Sequence, residues 1–175
     1  PARHRSMRVV MAHSWALLSQ EERTIAARLS VFHGAFSQEA AGEISGASLL
    51  ILVALVEKAL LRARPDGSYQ MHELTRQYAA EQIGQAYELR NAHAQYYAGF
   101  AQRLGAQLYG PHSKVALGQF GLITDNVTGA WHWLLQTVEE HNSHPLAANL
   151  LAQLIPTLAE CYYIPGRFQE GQQRF

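Results

Sequence analysis

His72 and Glu73 open the most chemically suggestive stretch of the chain, Met71-His72-Glu73-Leu74-Thr75-Arg76. A His-Glu pair can begin a zinc-hydrolase motif, in which a second histidine one helical turn later completes the metal's ligand set. Arg76 occupies that position, so hydrolytic zinc chemistry is rejected. A neutral imidazole at a helix start can instead cap backbone N–H groups, join the core or contact a ligand.

The other reactive residue types are dispersed. Among nine histidines, His141 and His144 come closest to ligand spacing, but only Glu139 and Glu140 stand near them as further donors, which argues against a metal site. Lys58 follows Val56-Glu57 and Lys114 follows His112-Ser113, so neither ends a glycine-rich phosphate loop. Gly-x-Ser-x-Gly is absent, and Cys161 lies among Leu158, Tyr162 and Tyr163 as a buried structural thiol would. A single cysteine forms no internal disulfide and fits a reducing, cytoplasmic setting. The expectation is a chain with no catalysis, metal or cofactor of its own.

The composition agrees with a folded binding or regulatory segment. Of 175 residues, 48% are hydrophobic and 16% charged, enough apolar surface to bury a core. Fourteen basic residues balance fourteen acidic ones, which argues against a general polyanion binder. The longest apolar run, Leu49 to Val56, is far short of the roughly 20 residues that cross a bilayer, and no signal-peptide pattern opens the chain. Pro1 to Arg8 carries three arginines without a start methionine, and Arg167 to Phe175 stops inside a helical pattern, so the chain reads as a fragment of a longer protein.

Periodicity and capping signals give the elements that must position these residues. Val9, Val10, Trp15, Leu17 and Leu18 form a first apolar segment, and Ser19-Gln20-Glu21-Glu22 has the form of a capping box. The helix it starts places Ile25, Leu29 and Phe32 on one stripe and stops at Gly34. Ser37 caps a third helix through Glu43, and Gly46 separates it from a fourth at about Ser48 to Leu60. Leu60 to Arg64 and Ser68 to His72 then predict two short strands joined by Pro65-Asp66-Gly67. Helices followed by such a β-hairpin wing, with a further helix from Glu73 to Ile83, spell a winged helix-turn-helix over residues 1–85.

Residues 86–175 predict an all-α, TPR-like region. Leu89, His93, Tyr96, Phe100, Leu104 and Leu108 step along one long helix that ends at Gly110-Pro111. Lys114 to Leu122 and Asp125 to Glu140 predict two more, the second with Val127, Trp131, Leu134 and Val138 on one face. After a turn at Asn142 to Pro145, Leu146, Leu150, Leu154 and Leu158 continue through a helix that Pro156 should kink or open. An unfinished last helix pair suggests the start of a helical-repeat array. The expected fold class is therefore mostly α.

A winged helix invites direct DNA binding, in which one helix reads base edges in the major groove. The helix in that position is apolar from Leu49 to Val56 and offers no Arg, Asn or Gln, while the wing adds only Arg62 and Arg64. Both facts argue against direct DNA binding and predict packing against protein.

Met71-His72-Glu73-Leu74 followed by Arg76 resembles the Met-His-Asp motif of the STAND (NB-ARC-type) signalling ATPases, with Glu73 in place of the aspartate. Further blocks resemble bacterial STAND transcriptional regulators of the LuxR and SARP kind. Pro1 to Met7 looks like the approach to their winged helix, Leu29 to Phe36 like its second-helix signature, and Leu55 to Leu61 like its run into the wing. His93 to Tyr97, Asp125-Asn126 with Trp131, and Gly166 to Gly171 are similar to the helices that follow. The chain departs at His13, where relatives often carry tryptophan.

The resemblance implies a regulatory arm. An upstream P-loop module in the same chain would bind ATP or ADP with Mg, and the winged helix would fold over it with His72 near the β-phosphate of ADP. Downstream helical repeats would sense a protein or small-molecule inducer, and exchange of ADP for ATP would release the arm. The intact protein would then be a slow ATPase switch. A second reading stays open: an autonomous winged-helix DNA-binding transcription factor with a helical effector or dimerisation domain.

Overall fold

A computed structural model describes residues 11–84, 86–141 and 144–163. Several expectations fall outside these residues: Val9 and Val10, the Pro1 to Met7 segment, the boundary at Gln85, Asn142 and Ser143 of the turn, and Gly166 to Gly171. The protein is mostly helical, with eight helices and one three-stranded antiparallel sheet among the described residues. It divides into two compact units, Pro1–Leu89 and Arg90–Phe175.

In the first unit, α1 covers residues 11–16 and α2 covers Gln20–Leu29. The capping box forms: Ser19 Oγ accepts from Glu22 N–H at 3.2 Å, and Glu22 Oε2 accepts from Ser19 N–H at 2.6 Å. Ile25, Leu29 and Phe32 are buried as the stripe requires. The helix ends at Leu29 rather than at Gly34. Ser30 supplies the reason, because its N–H and its hydroxyl both return to the Ala27 carbonyl. The residues released from the helix lead into a strand, β1, at Ala35–Phe36.

Ser37 caps α3, Gln38–Ser45, and Gly46 at φ 77° closes it. Ser48 caps α4, Leu49–Glu57, which stops short of the expected Leu60. Leu60 N–H bonds to Leu55 C=O and Ala59 N–H to Val56 C=O, the two bonds of a Schellman closure, with Ala59 at φ 57°. The hairpin consists of β2, Leu61–Ala63, and β3, Tyr69–Met71, in the register Leu61↔Met71 and Ala63↔Tyr69. Gly67 takes φ 80° in its turn, and Asp66 accepts from both the N–H and the hydroxyl of Ser68.

Strand β1 pairs with the other edge of β3, so the sheet order is β1-β3-β2. Sequence reasoning missed β1 because two residues cannot show alternation. The aromatic rings hold it, with Phe36 stacked on Phe32 at 4.3 Å and on Tyr69 at 6.3 Å. Helix α5, Glu73–Ile83, follows β3 after one intervening residue, His72.

The second unit contains most of α6, Tyr87–Gly105, together with α7, Ser113–His141, and α8, Pro145–Tyr163. In α6, Tyr97, Ala98 and Ala101 are more deeply buried than the expected Tyr96 and Phe100, which are half-buried. Helix α7 is continuous where two helices were expected. No glycine or proline interrupts Leu122 to Asp125, and the hydroxyls of Thr124 and Thr128 bond back to Phe120 and Thr124 carbonyls within the helix. Val127 and Leu134 are buried, whereas Trp131 and Val138 are half-buried.

Helix α8 runs through Pro156, which lies on its exposed side. Its expected leucine stripe is only partly buried. Leu154 and Leu158 are inside, Leu150 is half-buried and Leu146 is exposed, while Ala147 and Leu151 take the inner line. Each four-residue step on a helix over-rotates by about 40°, so a strict four-residue repeat drifts off one face. No single helix among the described residues is long and apolar enough to cross a membrane.

Candidate functional site

The junction between β3 and α5 is fastened by two inward side chains, Met71 and Thr75, both buried. The Thr75 hydroxyl points to Met11 Sδ at 3.5 Å. This leaves His72 and Glu73 directed outward at the start of the helix. His72 is the N-cap of α5, with φ −64° and ψ 141°, and its Nδ1 accepts from Leu74 N–H at 3.3 Å. A ring nitrogen that accepts carries no proton, so neutral His72 holds its proton on Nε2. The exposed imidazole thus combines a capping acceptor with a donor on its other nitrogen.

Glu73 does not project as a free charge. Arg76 Nε and one terminal nitrogen donate to its two carboxylate oxygens at 2.8 Å each, and Gln77 Nε2 donates at 2.9 Å. These bonds, Arg76 first, hold the Glu73 carboxyl down at about 2 against the opposing effect of partial burial. The other terminal nitrogen of Arg76 donates to Ser30 C=O at 3.2 Å, at the end of α2. One guanidinium therefore neutralises the carboxylate beside His72 and ties the start of α5 to the end of α2. Sequence reasoning used Arg76 to reject zinc and as part of the motif but did not pair it with Glu73, although the Glu-x-x-Arg spacing that permits the ion pair was visible.

Two further arginines make similar carbonyl contacts in this unit. Arg23 donates to Trp15 and Ala16 carbonyls at the end of α1, and Arg28 donates to Ser45 C=O at the end of α3. Arg64 of the hairpin lies 3.5 Å from Asp66. Helix α4 buries Leu52 and Leu55 and turns Leu49, Leu50 and Val53 outward, with Leu50 82% exposed. Leu52 and Leu55 join the core of this unit, whereas the outward aliphatic residues, expected to pack against protein, are exposed.

In the second unit, the structure brings His93 and Asn126 together. Both are buried, with His93 Nε2 3.2 Å from Asn126 Oδ1 and the Tyr97 ring 4.8 Å from the imidazole. Trp133 Nε1 donates to Asn91 at 2.9 Å, beneath the Arg90 guanidinium. His144 caps α8 by accepting from Ala147 N–H, and the side chain of His141 lies outside the described atoms. No group of three or more histidine, cysteine, aspartate or glutamate side chains among the described residues is placed to hold a metal ion. Burial, with Glu160 nearby, pushes the Cys161 thiol up to about 12, which makes it a poor nucleophile.

No protein-family model, curated protein or solved structure matches the chain.

Proposed function

We propose that the chain is the winged-helix and TPR-like regulatory arm of a STAND-type ATPase transcriptional regulator. In this reading an upstream P-loop module of the same protein holds ADP, and His72 closes on its β-phosphate. The observation that carries the reading is the posture of His72. Its Nδ1 is engaged by Leu74 N–H, which assigns the proton to Nε2 on an exposed ring, while Arg76 neutralises the adjacent Glu73. A phosphate approaching α5 would meet a hydrogen-bond donor and the positive end of a helix rather than a bare carboxylate.

The chemistry of the first unit favours this arm over an autonomous DNA-binding factor. Arg23, Arg28 and Arg76 are engaged with helix-end carbonyls, and the outward face of α4 is aliphatic. Neither feature supplies the phosphate neutralisation and base reading that DNA affinity requires.

The test uses the chain joined to its nucleotide-binding module. A hydrogen bond from Nε2 to a charged phosphate is worth about 1.5–3 kcal/mol, so His72→Ala should release ADP roughly ten- to 150-fold faster. His72→Gln, which can donate from its amide, should be milder. His72→Asn preserves a capping acceptor but shortens the reach, and should resemble His72→Ala. Unchanged ADP release in all three folded variants would reduce His72 to a helix cap and defeat the proposal.

A further inference from the structure

We draw no further inference here: the strongest candidate, the exposed aliphatic face of α4 formed by Leu49, Leu50 and Val53, carries nothing because nothing in the structure shows what covers it.

Discussion

Glu22 and Lys58, 36 residues apart, meet with Lys58 Nζ 2.6 Å from both carboxylate oxygens. The same carboxylate closes the capping box of α2, and Lys58 is the C-cap residue of α4. The start of one helix is thereby joined to the end of another through a single side chain. The bond from Lys58, and then that from Ser19 N–H, holds the Glu22 carboxyl below its ordinary 4.5.

A lowered carboxyl contributes stability that is present above its unfolded value and is lost as pH falls through the folded one. Glu22 and Glu73 both have an ordinary value of 4.5, and Glu73 falls to about 2. Acid melts should therefore lose stability progressively below pH 4.5, with the Glu73 part spread down to about 2. Glu22→Gln and Glu73→Gln should each flatten that slope. Each pair has one solvent-exposed partner, Lys58 in one and Glu73 in the other, so screening should hold the cost of either change to about 1 kcal/mol at neutral pH. An unaltered acid slope in the double variant would show that other carboxylates control it.

Ala59 at φ 57° and Gly46 at φ 77° occupy equivalent left-handed positions at the ends of α4 and α3. The conformation costs an L-residue roughly 1–2 kcal/mol and costs glycine little. Ala59→Gly should stabilise the fold and Gly46→Ala should destabilise it, each by about 1 kcal/mol, read as opposite shifts of the denaturant midpoint. Two shifts of the same sign would contradict the assignment.

Gly105 lets α6 approach α8 closely, since a Cβ there would lie 2.6 Å from Thr157 Oγ1 and 3.3 Å from its Cβ. The short branched threonine has no distant rotamer to retreat into, so Gly105→Ala should destabilise by about 1–3 kcal/mol. Gly118, inside α7, has nothing within 4 Å of the same atom, and Gly118→Ala should stabilise by up to about 1 kcal/mol. Thermal melts that rank the two variants the other way would refute the packing.

The leucines of α8 separate by depth. Leu154→Ala removes a fully buried side chain and should cost about 2–5 kcal/mol. Leu146, 42% exposed, should tolerate alanine with a loss of about 0.5 kcal/mol or less. Equal losses at the two positions in urea titrations would place the inner face elsewhere.

Features that depend on local chemistry were legible in the sequence. The capping box at Ser19, the cap at Ser37 and the turn at Asp66-Gly67 all involve residues a few positions apart, and all form. What depends on distant partners was hidden. No local pattern reveals that Ala35–Phe36 will find an edge of β3, or that Lys58 will reach Glu22. Apolar periodicity located α7 and α8 but overcalled their faces, because it is blind to the small residues, such as Ala147, that let helices approach. At the candidate site, the motif pointed to His72. It left open that the ring would cap its own helix through Nδ1 and that Arg76 would reach Ser30.

The central strand of the sheet is the last one synthesised. Until Tyr69–Met71 emerges from the ribosome, Ala35–Phe36 and Leu61–Ala63 lack the strand that each pairs with, so neither ladder of this sheet can form before it. His72 immediately follows that strand. A displacement of His72 therefore bears on the strand that both ladders of this sheet share, as well as on the first turn of α5.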